Sequence, residues 1–176
     1  LIVMVASLFM VPFSTLLPIF ARDILEVGAQ GQGLLLASMG VGALGSALII
    51  ATFGDRMPRG IMMLAGVTLY GVLVVLFSAS PWFSLSMVLM AIIGLCHVSS
   101  HALVQTLIQS YSPPEFRGRA IAMFHMNQIL LLLGGLGSGA LSAAIGAPWA
   151  AAALSIAGTL CMVALYLFDP GARKIR

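Results

Sequence analysis

Four polar residues recur at every fourth position inside one apolar stretch: His97, His101, Gln105 and Gln109. In a helix that spacing stacks them along one face, with slow drift around the axis. A second group, His125, Asn127 and Gln128, follows in a later apolar stretch. Histidines at i and i+4 suit three kinds of chemistry. They can hydrogen-bond to neighbouring helices, or line a wet pathway, where imidazole changes charge near neutral pH. They can also ligate a metal. Here Val98, Ser99 and Ser100 fill the gap, so the glutamate of a zinc HExxH motif is missing and no third ligand follows. Haem held by two histidines would need His125 to face the pair across two helices. No metal or cofactor is expected; interhelical bonding and a substrate pathway both stay open.

Other catalytic patterns fail on inspection. Leu136-Gly137-Ser138-Gly139 carries leucine where an intramembrane serine protease has the first glycine of GxSG. Gly28-Ala29-Gln30-Gly31-Gln32-Gly33 has the wrong order for a dinucleotide fingerprint and reads as a flexible turn. Lys174 is the single lysine and lies in the tail, so there is no Walker A motif and no ATP-driven activity of this chain. Cys96 and Cys161 have no CxxC spacing and read as small packing residues. An enzyme is not expected.

The elements that position these residues follow from charge. Of 176 residues, 61% are hydrophobic and 7% charged, with mean hydropathy +1.12. A soluble domain carries about 25% charged residues. A soluble enzyme, a nucleic-acid binder and a disordered tail are excluded together. No Asp, Glu, Lys or Arg occurs in 1–21, 27–54, 60–114 or 120–168. A membrane helix needs roughly 20 apolar residues. The two long windows therefore hold two spans each, divided at Ser78-Ala79-Ser80-Pro81-Trp82 and at Gly146-Ala147-Pro148-Trp149. The reading is an all-α membrane protein with a six-helix domain over 1–168 and a basic tail at 169–176. Its helices fall at about 1–21, 33–53, 61–79, 82–109, 119–143 and 149–168. The apolar runs do not alternate, which argues against a β-barrel.

Seven of the eight basic residues fall in segments 54–60, 110–119 and the tail, and only Arg22 falls on the other side. Both chain ends are then expected in the cytoplasm. The chain opens on Leu1 inside an apolar run with no signal peptide features, and is expected to lack its true start. Helices 3 and 6 contain no His, Asn, Gln or charge, so they should face lipid while helices 4 and 5 face protein or water. Helix 2 carries Gly40, Gly42 and Gly45, and helix 5 carries Gly134, Gly135, Gly137 and Gly139. Such faces admit close packing, either within the six helices or as a sliding contact with a partner domain. No span holds an acidic residue, so a proton relay would rest on His97 or His101, or on residues elsewhere. The 11 methionines read as adaptable packing or as the lining of a polyspecific pocket.

Three stretches resemble the C-terminal half of a major facilitator superfamily transporter, in the bacterial branch of enterobactin exporters and drug-efflux proteins. The first is Leu17-Pro18-Ile19-Phe20-Ala21-Arg22-Asp23 with Gly33-Leu34-Leu35-Leu36-Ala37 and Gly40-Val41-Gly42-Ala43-Leu44-Gly45. The second is Gly54-Asp55-Arg56-Met57-Pro58-Arg59, similar to the family's cytoplasmic loop motif. It departs from that motif at Ala51, Pro58 and Gly60. The third is Pro114-Glu115-Phe116-Arg117-Gly118-Arg119 leading into Gly134-Gly135-Leu136-Gly137-Ser138-Gly139. The resemblance implies one six-helix half around a central cavity, with helix 1 broken near Pro12 and Pro18. Asp55 would touch a helix N-terminus of the other half, and Arg56 and Arg59 would latch the cytoplasmic side. Positive-inside anchoring alone also accounts for the two arginines.

The expectation is a secondary transporter half in a bacterial inner membrane, exporting small amphipathic molecules by alternating access. His97, His101, Gln105, Asn127 and Gln128 would line the pathway. Its partners would be the bilayer, a missing N-terminal half, a small-molecule substrate and protons as coupling ion, with no nucleic acid. The competing class is a stand-alone six-helix protein, either a homodimeric carrier or a metal- or haem-binding subunit.

Overall fold

The computed structural model describes residues 13–53, 59–111 and 117–168, and these are helical almost throughout. The elements are α1 (Phe13–Ile19), continued by a π-helical turn over Phe20–Ile24, then α2 (Gly28–Phe53), α3 (Arg59–Ser78), α4 (Phe83–Tyr111), α5 (Arg117–Ile145) and α6 (Ala147–Phe168). Among the described residues, Gly28–Thr52 is long and apolar enough to cross a membrane by itself. Thr68–Ser78, Phe83–Ser99, Leu131–Ile145 and Ala147–Cys161 are shorter apolar stretches.

Pro18 lies in α1, where a proline removes one backbone donor. Two residues later the hydrogen-bond spacing widens, with the Leu25 N–H donating to the Phe20 carbonyl at 2.9 Å. The Val27 N–H donates to the Ala21 carbonyl at 2.9 Å and closes the link to α2. Glu26 takes a φ of 53° and Gly28 one of 62° within this link. Sequence pattern predicts an open turn over 28–33, but these residues form the first turns of α2. Packing overrides composition there: a Cβ on Gly31 would run into the Val27 side chain and touch the Phe83 ring. The glycine lets the start of α2 sit against the start of α4.

α2 packs most extensively against α4, and α3 packs between α4 and α6. α1 touches α5, and α5 lies beside α6. The core gathers around three rings. Phe13 and Phe77 stand edge to face with centroids 5.1 Å apart, and Phe20 lies 5.3 Å from Phe77. Leu16, Leu17, Leu35, Val74, Met90, Ile93 and Ala150 close around them, all almost fully buried.

The turn between α3 and α4 is held by serines. Ser86 donates to Ser80, and Ser80 donates to the Trp82 carbonyl, each at 3.3 Å. Between α5 and α6 stands a single residue, Gly146, with φ 87°. Its N–H donates to the Ser142 carbonyl at 2.9 Å, and its own carbonyl accepts from Ala150 N–H at 3.0 Å. Pro148 falls in the first turn of α6, where a missing donor costs nothing.

Candidate functional site

Helix periodicity brings His97 and His101 together on α4, with ring centroids 4.9 Å apart. Tyr70 of α3 approaches His97 at 6.0 Å between ring centroids. Tyr70 is buried, His97 is half-buried between α3 and α4, and His101 is exposed. The three rings form a graded path from the interior of the helix set to its surface. A phenol and two imidazoles offer hydrogen-bond donors and acceptors together with aromatic faces.

Sequence reading passes over Tyr70, because one tyrosine in an apolar window has no period to mark it. The other expected pathway residues, Gln105 on α4 and Asn127 and Gln128 on α5, have side chains outside the described residues. Asp55 and Arg56 also lie outside them, and Arg59 is described only as the first residue of α3. Among the described residues, no group of three or more His, Cys, Asp or Glu gathers in metal-binding proximity.

The glycines divide into two sets. A Cβ on Gly42 would run into the Ala91 carbonyl, and one on Gly94 into the Met39 carbonyl, so α2 and α4 touch backbone to backbone. Gly40 and Gly45 on α2, with Gly137 and Gly139 on α5, would meet nothing within 4 Å. Around them stand Val41, Leu44 and Leu48 on α2, and Leu132, Leu133 and Leu136 on α5, all more than half exposed. The six helices therefore leave two broad apolar, glycine-bearing faces uncovered. α3 and α6 expose Leu69, Val72, Leu76, Ile156 and Leu160, and bury their other faces against each other and the core.

α1 and α5 are joined by a polar contact that crosses 123 residues of sequence. Thr15 and Ser138 lie 3.1 Å apart, oxygen to oxygen. Ser138 also donates to the Gly135 carbonyl at 2.9 Å, and either hydroxyl can be the donor in the contact between Thr15 and Ser138. In the π-helical turn after α1, Arg22 grips Asp23 through Nε at 2.6 Å and Nη2 at 3.2 Å. The hydrogen bond from Arg22 holds the Asp23 carboxyl below the ordinary carboxylate range. A cavity of about 290 Å³ opens beside this pair, lined by Pro18, Ile19, Arg22, Gly28, Ala29 and Gln32.

The Major Facilitator Superfamily profile matches residues 1–176, the whole chain. The chain belongs to this superfamily, which makes it a membrane protein of a transporter family. Searches of curated proteins and of solved structures each returned no significant match.

Proposed function

We propose that the chain is the C-terminal six-helix half of a secondary transporter that exports small amphipathic molecules. In this reading the six expected spans, at about 1–21, 33–53, 61–79, 82–109, 119–143 and 149–168, each cross the bilayer, and both ends lie in the cytoplasm of a bacterial cell. The half rocks against an N-terminal counterpart about a site near the midplane. The observation that carries the reading is the pair of open faces on α2 and α5. Bare glycines beside exposed leucines fit a close helix contact with a partner domain. The neighbouring rings of His97 and His101 on α4, the second of them exposed, support a polar stretch of pathway. Gln105, Asn127 and Gln128 extend the pathway, protons couple the transport, and Asp55, Arg56 and Arg59 latch its cytoplasmic side.

Cells expressing this half together with its N-terminal counterpart should accumulate less of a fluorescent amphipathic cation than cells carrying an empty vector. Accumulation equal to the empty vector would overturn the assignment. Topology is checked by cysteines at the exposed Ala79 and Gly118. An impermeant maleimide should reach the first in intact cells and the second only after permeabilisation.

The exposed faces also suit a second copy of the chain, as in a homodimeric carrier. A cross-link between Gly137→Cys residues of two copies, with full transport by this chain alone, would favour that form.

A further inference from the structure

We propose that His97 and His101 form a two-imidazole chelate for a late first-row divalent metal ion, copper(II) foremost. The site needs only the geometry of α4 and does not depend on what the chain transports. Residues four apart on a helix are neighbours on one face, and such histidine pairs supply the ring nitrogens of zinc-binding helices. Here the two rings stand on one unbroken helix, Phe83–Tyr111, with centroids 4.9 Å apart. A metal ion about 2.0–2.1 Å from each nitrogen lies roughly 3.2 Å from each ring centre, so bond angles between square and tetrahedral set the centres roughly 4.5–5.1 Å apart. The observed spacing falls inside that range, and the helix need not move to hold the ion.

The surroundings fit an open, exchangeable site rather than a closed structural one. Two protein ligands leave the other positions to water, and His101 is exposed while His97 is half-buried. On the six-span reading, His101 follows Trp82 by 19 residues, roughly 28 Å along the helix and close to the far edge of about 30 Å of hydrocarbon. A hydrated ion therefore reaches the pair from the headgroup level without crossing the bilayer. Tyr70 packs against His97 at 6.0 Å between ring centroids and limits the freedom of that ring before any ion arrives. No Lys or Arg occurs in 60–114, so no basic residue of that stretch repels a cation. Imidazole suits copper, nickel and zinc, and at a given set of nitrogen ligands copper(II) binds most tightly.

The test uses protein purified in detergent without a histidine tag and titrated with copper(II) alone. Electron paramagnetic resonance of the bound ion should show hyperfine coupling to two imidazole nitrogens. His97→Gln and His101→Gln should each reduce that coupling to one nitrogen. His125→Gln, which replaces the third histidine, should leave the pattern unchanged. In the wild-type protein, where no substitution disturbs the fold, saturating copper should block acylation of His101 by diethyl pyrocarbonate. Fewer than two nitrogens in the wild type would overturn the site. So would a two-nitrogen pattern that survives both substitutions or is lost with His125, and so would unhindered acylation of His101. None of these measurements involves export, so failure of the metal site leaves the transport proposal in place.

Discussion

Gly42 of α2 and Gly94 of α4 answer one another across a helix crossing, each lying against a carbonyl of the opposite backbone three residues from its counterpart. Neither site has room for a methyl group. Such contact brings Cα–H groups within reach of carbonyl oxygens and maximises dispersion where lipid supplies no hydrophobic drive.

Gly42→Ala and Gly94→Ala should therefore each destabilise the protein by about 1–3 kcal/mol, because backbone on both sides must shift. In this half without its counterpart, Gly40→Ala and Gly45→Ala, whose new Cβ would meet nothing within 4 Å, are the controls. They should be neutral or gain up to about 1 kcal/mol from helix propensity. Thermal unfolding in one detergent measures all four.

Thr15 and Ser138 should show modest coupling. A double-mutant cycle with Thr15→Val and Ser138→Ala is expected to give about 0.6 kcal/mol, the average for hydrogen bonds between helices in a bilayer, and less than about 1.7. Zero coupling would mean that α1 and α5 do not meet there.

Replacing both His97 and His101 with alanine should lower transport severalfold at unchanged expression. Tyr70→Phe, which keeps the ring and removes the hydroxyl, should have a smaller effect. Unchanged export by the double variant would remove the histidines from the pathway. Dye accumulation in cells with matched protein levels is the measurement.

Asp23 should titrate below free aspartate, because Arg22 hydrogen-bonds its ionised form. A lowered carboxylate contributes stability above its ordinary range and loses it as pH falls through the lowered value. The pair lies on the surface, so the effect on folding is small. Arg22→Gln should move the Asp23 midpoint up toward about 3.9, as read by NMR of the side-chain carboxyl.

The helical character of the chain is legible in its sequence, because charge-free windows leave the backbone no other way to satisfy itself in lipid. The pairing of His97 with His101 is legible too, since it follows from helical repeat alone. The start of α2 is not. Gly28 to Gly33 have loop composition, and only the Phe83 ring and the Val27 side chain explain why Gly31 sits in a helix. Gly94 escapes notice as a lone glycine among apolar residues. Thr15 and Ser138 stand too far apart in sequence for any local pattern to join them.

Gly146 has a consequence for movement. Two long helices meet at one left-handed residue whose N–H and carbonyl are both tied into the adjoining turns. An L side chain there is disfavoured by about 1–2 kcal/mol, so Gly146→Ala should lower the melting temperature, as differential scanning fluorimetry would show. With no slack at this elbow, α5 and α6 must travel as one stiff hairpin. Flexing has to be absorbed at other joints, and the widened turn after Pro18 is one of them.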